Sequence, residues 1–345
     1  MVRSVRIYGV PKIRLTCSLQ VTIRVVLLFL ALVLSSMRTI GQEVHIIPHT
    51  NAIPIGAKAS DSPAPADGTT FQARVDLVLV PVAVTDPLGR LVTGLDKDNF
   101  EIYEGKEKQA IRTFSSEDTP VSLGIILDSS GSMASKIERA RDAVKELIGT
   151  ANPQDEFFLI TFADAPELVT DFTTSVEGIQ NQLLYARPRG STALLDAIYL
   201  GITNMRHAKY AKKALLIISD GGDNHSRYHE HEVKSLVREA DTLVYAIGIY
   251  DVYFSTLEEQ IGPALLSDIS DVSGGRMFTV ENPNDLPSVA MKIGAELRNE
   301  YVMGYRPMNP KYDGKWHKIK VRLSLPKGLP RCEAHAKQGY YALSQ

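Results

Sequence analysis

The segment Asp128-Ser-Ser-Gly-Ser132 places one carboxylate and two hydroxyls at alternate positions, directly after an apolar run. Gly131 lies between the two serines and permits a tight turn of the backbone. The oxygens of Asp128, Ser130 and Ser132 are therefore free to converge on one point. Carboxylate and hydroxyl oxygens, with no thiolate or imidazole among them, are the ligands that a hard cation such as Mg²⁺ prefers.

Two later segments carry oxygen groups in a similar setting. Thr192 ends the sequence Arg-Gly-Ser-Thr just before an apolar helical pattern, and Asp220 follows another apolar run. Magnesium takes about six oxygen ligands and usually keeps several waters. Five side chains that are not all bound directly would leave a coordination position for a water or for a carboxylate from a partner.

The elements that must position these residues alternate between strand and helix. Near-continuous apolar runs, typical of strands buried on both faces of a parallel sheet, occupy residues 123–127, 157–162, 214–218 and 243–249. Amphipathic helices lie between them, and the last helix begins near Pro287. The pattern predicts a doubly wound α/β domain over residues 119–300, a fold that binds ligands at the carboxyl ends of its strands.

The segments on either side of this domain have β character. Short strands are predicted near residues 75–81, 91–93, 100–103 and 110–114, and again near 301–305, 317–323 and 339–342. Each half alone would expose strand edges and an apolar face. We therefore expect residues 71–118 and 301–345 to form one accessory β-sandwich, with the α/β domain inserted between them.

The first 41 residues are typical of an export signal. They carry no acidic residue and six basic ones, at Arg3, Arg6, Lys12, Arg14, Arg24 and Arg38. The apolar run 25–34 is ten residues long, whereas a membrane-spanning helix needs about 20. We expect a signal peptide over 1–41, with an uncleaved anchor as the alternative, and a Pro-rich flexible linker over 42–70. The prediction is an exported protein, located in the periplasm or cell envelope or secreted.

The charge of the remaining chain excludes one class of partner. The whole sequence has 38 basic and 40 acidic residues, so removing the six basic leader residues leaves 32 against 40, a net charge of −8. Such an acidic body has no electrostatic footprint for nucleic acid. Membrane contact is expected only if the leader is uncleaved.

The set Asp128, Ser130, Ser132, Thr192 and Asp220 resembles the metal ion-dependent adhesion site of the von Willebrand factor type A domain. The resemblance implies that the two serines and the threonine or last aspartate contact the metal. It also implies that the other acids act through water and that a partner carboxylate completes the coordination. The wider chain, about residues 70–343, is similar to the von Willebrand-related family of Acidobacteria, on the stretches 77–86, 100–104, 296–301 and 304–307.

The resemblance implies a non-enzymatic binding module that captures an acidic side chain of a protein ligand through Mg²⁺, with Mn²⁺ or Ca²⁺ as alternatives. One rival interpretation is a structural protein of the cell envelope, in which the metal acts as a brace. Another is a metal-dependent hydrolase that uses the histidines between His225 and His231. The sequence has no Gly-x-Ser-x-Gly nucleophile motif and no Gly-x-x-x-x-Gly-Lys phosphate loop.

Overall fold

The computed structural model describes residues 77–220, 222–250, 257–308, 310–325, 328 and 330–342. The predicted leader (1–41), the predicted linker (42–70) and residues 71–76 lie outside the described residues. None of the helices within the described ranges is long and apolar enough to cross a membrane.

The strands of the described chain are β1 (Val78–Thr85), β2 (Phe100–Glu104), β3 (Glu107–Gln109), β4 (Ile111–Ser115), β5 (Val121–Asp128), β6 (Glu156–Phe162), β7 (Pro166–Thr173), β8 (Lys212–Ser219), β9 (Leu243–Ile249), β10 (Met277–Val280), β11 (Tyr301–Tyr305), β12 (Trp316–Leu323), β13 (Glu333–Ala336) and β14 (Gly339–Tyr341). The α-helices are α1 (Ile137–Gly149), α2 (Val176–Leu183), α3 (Leu194–Asn204), α4 (Glu230–Glu239), α5 (Leu257–Ser273) and α6 (Leu286–Arg298).

The central sheet has six strands in the order β10-β9-β8-β5-β6-β7. All neighbouring pairs are parallel except β6 and β7, which are antiparallel. Every residue of β5 and of β9 is buried, as expected for strands that are covered on both faces. The predicted doubly wound α/β architecture, with its mostly parallel sheet, is confirmed.

Helices cover both faces of this sheet because alternate strand residues point to opposite sides. One apolar cluster joins Leu123, Ile125 and Leu127 of β5 to helices α1, α2 and α6. The other joins Ile126 and the apolar residues of β6 and β8 to helices α3, α4 and α5. The central strands are thus held rigidly between two layers, so the loops at their ends start from fixed points.

The chain reverses its direction of travel across the sheet at β5. It passes from β5 to β6 on one side and later returns to β8 on the other side, so β5 lies between them. The loops that follow β5 and β8 consequently leave the sheet side by side, which is the position at which doubly wound folds bind ligands. Asp128 is the last residue of β5, and Ser219 is the last residue of β8.

Two antiparallel four-stranded sheets accompany the α/β domain. Their orders are β13-β1-β11-β4 and β14-β12-β2-β3, so each sheet combines strands that precede and strands that follow the central sheet. Val82, Ile102, Met303 and Ile319 belong to one shared apolar cluster of these two sheets. The flanking segments therefore form an accessory β-sandwich, as predicted.

One predicted strand is wrong. Residues 91–93 contribute only an isolated bridge, between Leu91 and Thr85. The carbonyl of Val92 and the N–H of Leu95 instead hydrogen-bond to the Tyr301 hydroxyl, each at 3.0 Å. A side chain therefore satisfies the backbone groups that a neighbouring strand would otherwise satisfy.

Candidate metal centre

The Asp128 carboxylate is fully buried at the end of β5. Its Oδ1 atom accepts a hydrogen bond from the Ser130 N–H at 2.8 Å, and its Oδ2 atom accepts one from the Ser219 hydroxyl at 2.5 Å. Burial raises the pKa of Asp128 to about 6, although the hydrogen bonds from Ser130 and Ser219 act in the opposite direction. A carboxylate that is held this far from water is stabilised by a cation placed beside it.

Ser132 connects the Asp128 loop to Asp220. The Oγ atoms of Ser130 and Ser132 are 3.1 Å apart, and the Ser132 hydroxyl donates to Asp220 Oδ1 at 2.8 Å. Asp220 is fully buried, and its Oδ2 atom accepts a hydrogen bond from Lys136 Nζ at 2.6 Å. Four of the five predicted site residues thus belong to one hydrogen-bonded network.

Thr192 lies beside this network and is held there by its main chain. Its N–H donates to Asn224 Oδ1 at 2.8 Å, and its carbonyl accepts from the N–H of Asn224 at 3.0 Å and of His225 at 3.2 Å. These bonds join the Thr192 loop to the segment that follows Asp220.

The Thr192 loop is also joined to the Asp128 loop. The Gly131 N–H donates to the Gly190 carbonyl at 3.1 Å, and the Arg189 N–H donates to the Ser129 carbonyl at 2.8 Å. All three predicted loops are therefore connected to one another by hydrogen bonds of the main chain. Such bonds fix the loops independently of the five site side chains.

Asp164 fixes the turn that precedes Thr192. Its Oδ1 atom accepts a hydrogen bond from the Ser191 N–H at 2.7 Å, and this bond lowers the pKa of Asp164. Gly190 has φ of +74°, and a Cβ atom added there would lie 2.6 Å from Asp164 Oδ2. Only glycine allows both this backbone conformation and the close approach of the carboxylate.

The first turn of α3, which begins after Thr192, is capped from another loop. Ala193 stands at the N-cap position and has no side-chain acceptor. Instead, Asp223 Oδ2 accepts from the Leu195 N–H at 2.8 Å, and Ser226 Oγ accepts from the Asp196 N–H at 3.0 Å. These contacts satisfy helix N–H groups that would otherwise lack partners.

The donor set fits a hard divalent cation. Two buried carboxylates and the hydroxyls of three residues lie on adjoining loops at the carboxyl end of the sheet. Mg²⁺ is bound by such oxygen atoms. Ser130 is only 1% exposed, whereas Ser132 is exposed to solvent. The network therefore has a buried inner side and an open outer side.

Sequence reasoning missed three residues that organise this site: Lys136, Asp164 and Asn224. Lys136 could have been found from local spacing. It follows Ser132 by four residues, and the segment Gly131–Ser135 is helical, a spacing at which side chains on a helix are neighbours. Asp164 and Asn224 act through contacts to residues 27 and 32 positions away, which no local pattern reveals.

The histidines of the alternative hydrolase interpretation are exposed. His225, His229 and His231 all lie at the surface, and the rings of His229 and His231 are 5.9 Å apart. Within the described ranges, no group of three or more His, Cys, Asp or Glu side chains is placed to share a metal ion. The Asp128 network is not such a group, because most of its predicted donors are hydroxyls.

Residues 123–222 match the family model of the von Willebrand factor type A domain. An uncharacterised protein of Borreliella burgdorferi is 23% identical over 182 residues, which is 46% of this chain and 53% of that protein. The chain therefore spans about half the length of this curated relative.

The solved structures that are similar to this chain include the following two. The von Willebrand factor type A protein from Catenulispora acidiphila is 14% identical with a TM-score of 0.47, over 79% of this chain and 75% of that one. Proximal thread matrix protein 1 from the mussel byssus, with a zinc-occupied adhesion motif, is 17% identical with a TM-score of 0.46, over 56% and 50% of the two chains. The narrower similarity to the family of Acidobacteria stays a prediction. By its matched residues, the chain carries a von Willebrand factor type A domain over 123–222, within the doubly wound sheet.

Proposed function

We propose that this chain is an exported, non-enzymatic module that binds an acidic side chain of a protein ligand through a divalent cation. The observation that carries the proposal is the network in which Ser130 contacts Ser132, and Ser132 contacts the buried carboxylate of Asp220. Asp128 adds a second buried carboxylate to the same loop. Thr192 completes the proposed ligand set from the adjoining loop.

In this proposal each residue has a distinct task. The hydroxyls of Ser130, Ser132 and Thr192 orient the cation, and the carboxylates of Asp128 and Asp220 supply most of the negative charge that holds it. The cation supplies a positive charge that attracts the carboxylate of a partner. Mg²⁺ is the ion proposed because oxygen donors and water suit it, and Mn²⁺ and Ca²⁺ use the same donors.

Binding is favoured over a bracing role because the loops do not depend on a metal to hold them together. The main-chain bonds between Gly131 and Gly190, between Arg189 and Ser129, and between Asn224 and Thr192 already connect them. The open side of the network at Ser132 gives a partner access.

The proposal of export rests on the basic and apolar leader over residues 1–41. The partner would belong to the cell envelope or its surroundings.

The test combines metal titration with partner capture. Calorimetry with MgCl₂ should show binding to the wild-type protein and none to Asp128→Ala, while Asp142→Ala on the exposed side of α1 should bind like the wild type. Capture of a partner from envelope extract should be lost with EDTA and with Asp128→Ala. Capture that survives both changes would overturn the proposal and favour the structural role.

A further inference from the structure

The side chain of Lys136 contacts the proposed metal site. It follows the short helical segment Gly131–Ser135 and stands at the N-cap of α1. Its Nζ atom is 2.6 Å from Asp220 Oδ2, and the two side chains are 13% and 0% exposed. By comparison, the pair of Arg139 and Asp142 on the same helix is 52% and 41% exposed.

The ammonium group contacts the carboxylate that a metal ion also needs. Asp220 directs Oδ1 to the Ser132 hydroxyl and Oδ2 to Lys136, so both oxygens are engaged. A divalent cation beside Asp220 would therefore either displace the ammonium group or lie close to a like charge. Both possibilities weaken binding of the metal, and the effect is large because screening is poor at buried positions.

The charges around Asp220 also link the binding of the metal ion to the binding of a partner. The carboxylates of Asp128 and Asp220 and the Lys136 ammonium group, counted by themselves, sum to −1, and a divalent ion would change this sum to +1. An incoming partner carboxylate would restore neutrality. The metal ion and the partner should consequently favour each other's binding.

We propose that Lys136 is a tethered cation that competes with the divalent ion for Asp220 and thereby sets the metal affinity of the site. This inference rests on the proposed function, because it requires that the site binds a metal. In the absence of the ion, Lys136 neutralises the buried Asp220 carboxylate and keeps the loop in place. Lys136 is a positioning residue that tunes the site, and it is not itself a metal ligand.

The decisive variant is Lys136→Met, which keeps the length of the side chain and removes its charge. Calorimetric titration of the full chain with MgCl₂, without any partner, should show metal affinity about tenfold tighter or more than in the wild type. Lys136→Arg, which keeps the charge, should bind within a few-fold of the wild type. Lys145→Met is the matched control, because it removes one charge from the same helix but from an exposed pair with Asp142.

Thermal unfolding separates competition from a merely structural role. Without metal, Lys136→Met should unfold at a lower temperature than the wild type, because Asp220 stays buried without its cation. Added Mg²⁺ should raise its melting temperature more than it raises that of the wild type. A lower melting temperature with no gain in metal affinity would assign Lys136 to structure alone and overturn the inference.

The remaining outcomes are also decisive. If the wild type binds Mg²⁺ and Lys136→Met binds it equally or more weakly, the inference fails and the proposed function stands. If only the Lys136 variant binds Mg²⁺, the inference stands and the metal-dependent function of the wild type fails. If neither the wild type nor the variant binds Mg²⁺, both fail. Lys136→Gln replaces the Met variant if that protein does not fold.

Discussion

The two ends of the central sheet both bury acidic side chains, but they balance the charges differently. At the amino end, the carboxylates of Asp155, Glu296 and Glu300 contact Arg298, Arg276 and Lys212, respectively. At the carboxyl end, Asp128 and Asp220 are both fully buried, and Lys136 contacts Asp220. Asp128 accepts hydrogen bonds from the Ser130 N–H and the Ser219 hydroxyl, which are neutral donors.

This difference separates charges that hold the domain together from charges that serve a ligand. The pairs of Arg298 with Asp155 and of Glu300 with Lys212 join the end of α6 and the residues after it to the beginnings of β6 and β8, which are far away in sequence. The carboxyl-end carboxylates lie on loops beside an opening to solvent. We therefore expect substitution of Arg298 or Asp155 at the amino end to reduce stability, and substitution of Asp128 at the carboxyl end to reduce metal binding.

The largest expected effect is the loss of Arg298, which contacts the fully buried side chain of Asp155. Arg298→Ala should lower the free energy of unfolding by about 3–5 kcal/mol, because it leaves an uncompensated buried charge. Urea denaturation measures this change. Arg139→Ala, from the exposed pair with Asp142, is the control and should change stability by about 0.5 kcal/mol or less. A loss of under about 1 kcal/mol for Arg298→Ala would contradict the structural role of the amino end.

The same substitution at the two ends tests the comparison directly. Asp128→Asn should reduce Mg²⁺ affinity by about 100-fold, equivalent to about 2.7 kcal/mol, since it removes one of the two negative charges of the proposed metal site. Without metal, it should be as stable as the wild type or more stable, because it removes a carboxylate whose charged form is disfavoured by burial, which raises its pKa to about 6.

Asp155→Asn is the matched variant at the amino end. It should destabilise the protein, because it removes the charge partner of the largely buried Arg298 side chain, and it should leave Mg²⁺ affinity unchanged, because Asp155 lies at the opposite end of the sheet. Chemical denaturation in EDTA and calorimetry with MgCl₂ measure the two quantities. Strong destabilisation of metal-free Asp128→Asn would show that both ends serve stability.

The sequence predicted the strands that surround the site and did not predict those at the sheet edge. Residues 123–127 and 214–218 are continuous apolar runs, because their strands are covered on both faces. The edge strand β7 was not predicted, since its residues are half-buried or exposed and include Glu167 and Asp171. An edge strand leaves no periodic apolar signal when its neighbours cover it only in part.

The residues of the candidate site could be predicted from the sequence, whereas the contacts that hold them in place could not. Asp128, Ser130 and Ser132 form one local motif, and the fold brings Asp220 to it because β5 and β8 are adjacent. Lys136 contacts Asp220 across 84 positions, and the α3 cap at Asp223 comes from a loop 28 positions away. Such contacts depend on how loops pack, which residue spacing alone does not determine.

The amino end should also respond to pH through Glu296. Burial raises the pKa of Glu296 to about 7 from 4.5, although Arg276 opposes the shift. The folded protein therefore binds the Glu296 proton more tightly than the unfolded chain does. The stability that this proton contributes is fully present below pH 4.5 and is lost as the pH rises through 7. The wild type should therefore lose about 1–3 kcal/mol of stability between pH 5 and pH 8 from this group.

Glu296→Gln should remove this part of the pH dependence, because glutamine does not ionise. Urea denaturation of the wild type and the variant at pH 5 and pH 8 measures the difference. Glu146→Gln, at an exposed position of α1, is the control. Parallel pH profiles of Glu296→Gln and the wild type would show that Arg276 fully compensates the buried carboxylate at every pH.

The smallest effect concerns the backbone that presents Thr192. Gly190→Ala introduces a Cβ atom 2.6 Å from Asp164 Oδ2 at a φ of +74°. We expect a loss of about 1–2 kcal/mol in stability and a several-fold loss of Mg²⁺ affinity, because the turn must move away from Asp164. Gly89→Ala is the matched control: its φ is +71°, and nothing lies within 4 Å of the added atom. It carries the same backbone strain without the collision, so its Mg²⁺ affinity should equal that of the wild type. Equal metal affinities in the two variants would show that the position of Thr192 does not depend on Asp164. The loops at the carboxyl end would then tolerate a movement that the paired charges at the amino end do not allow.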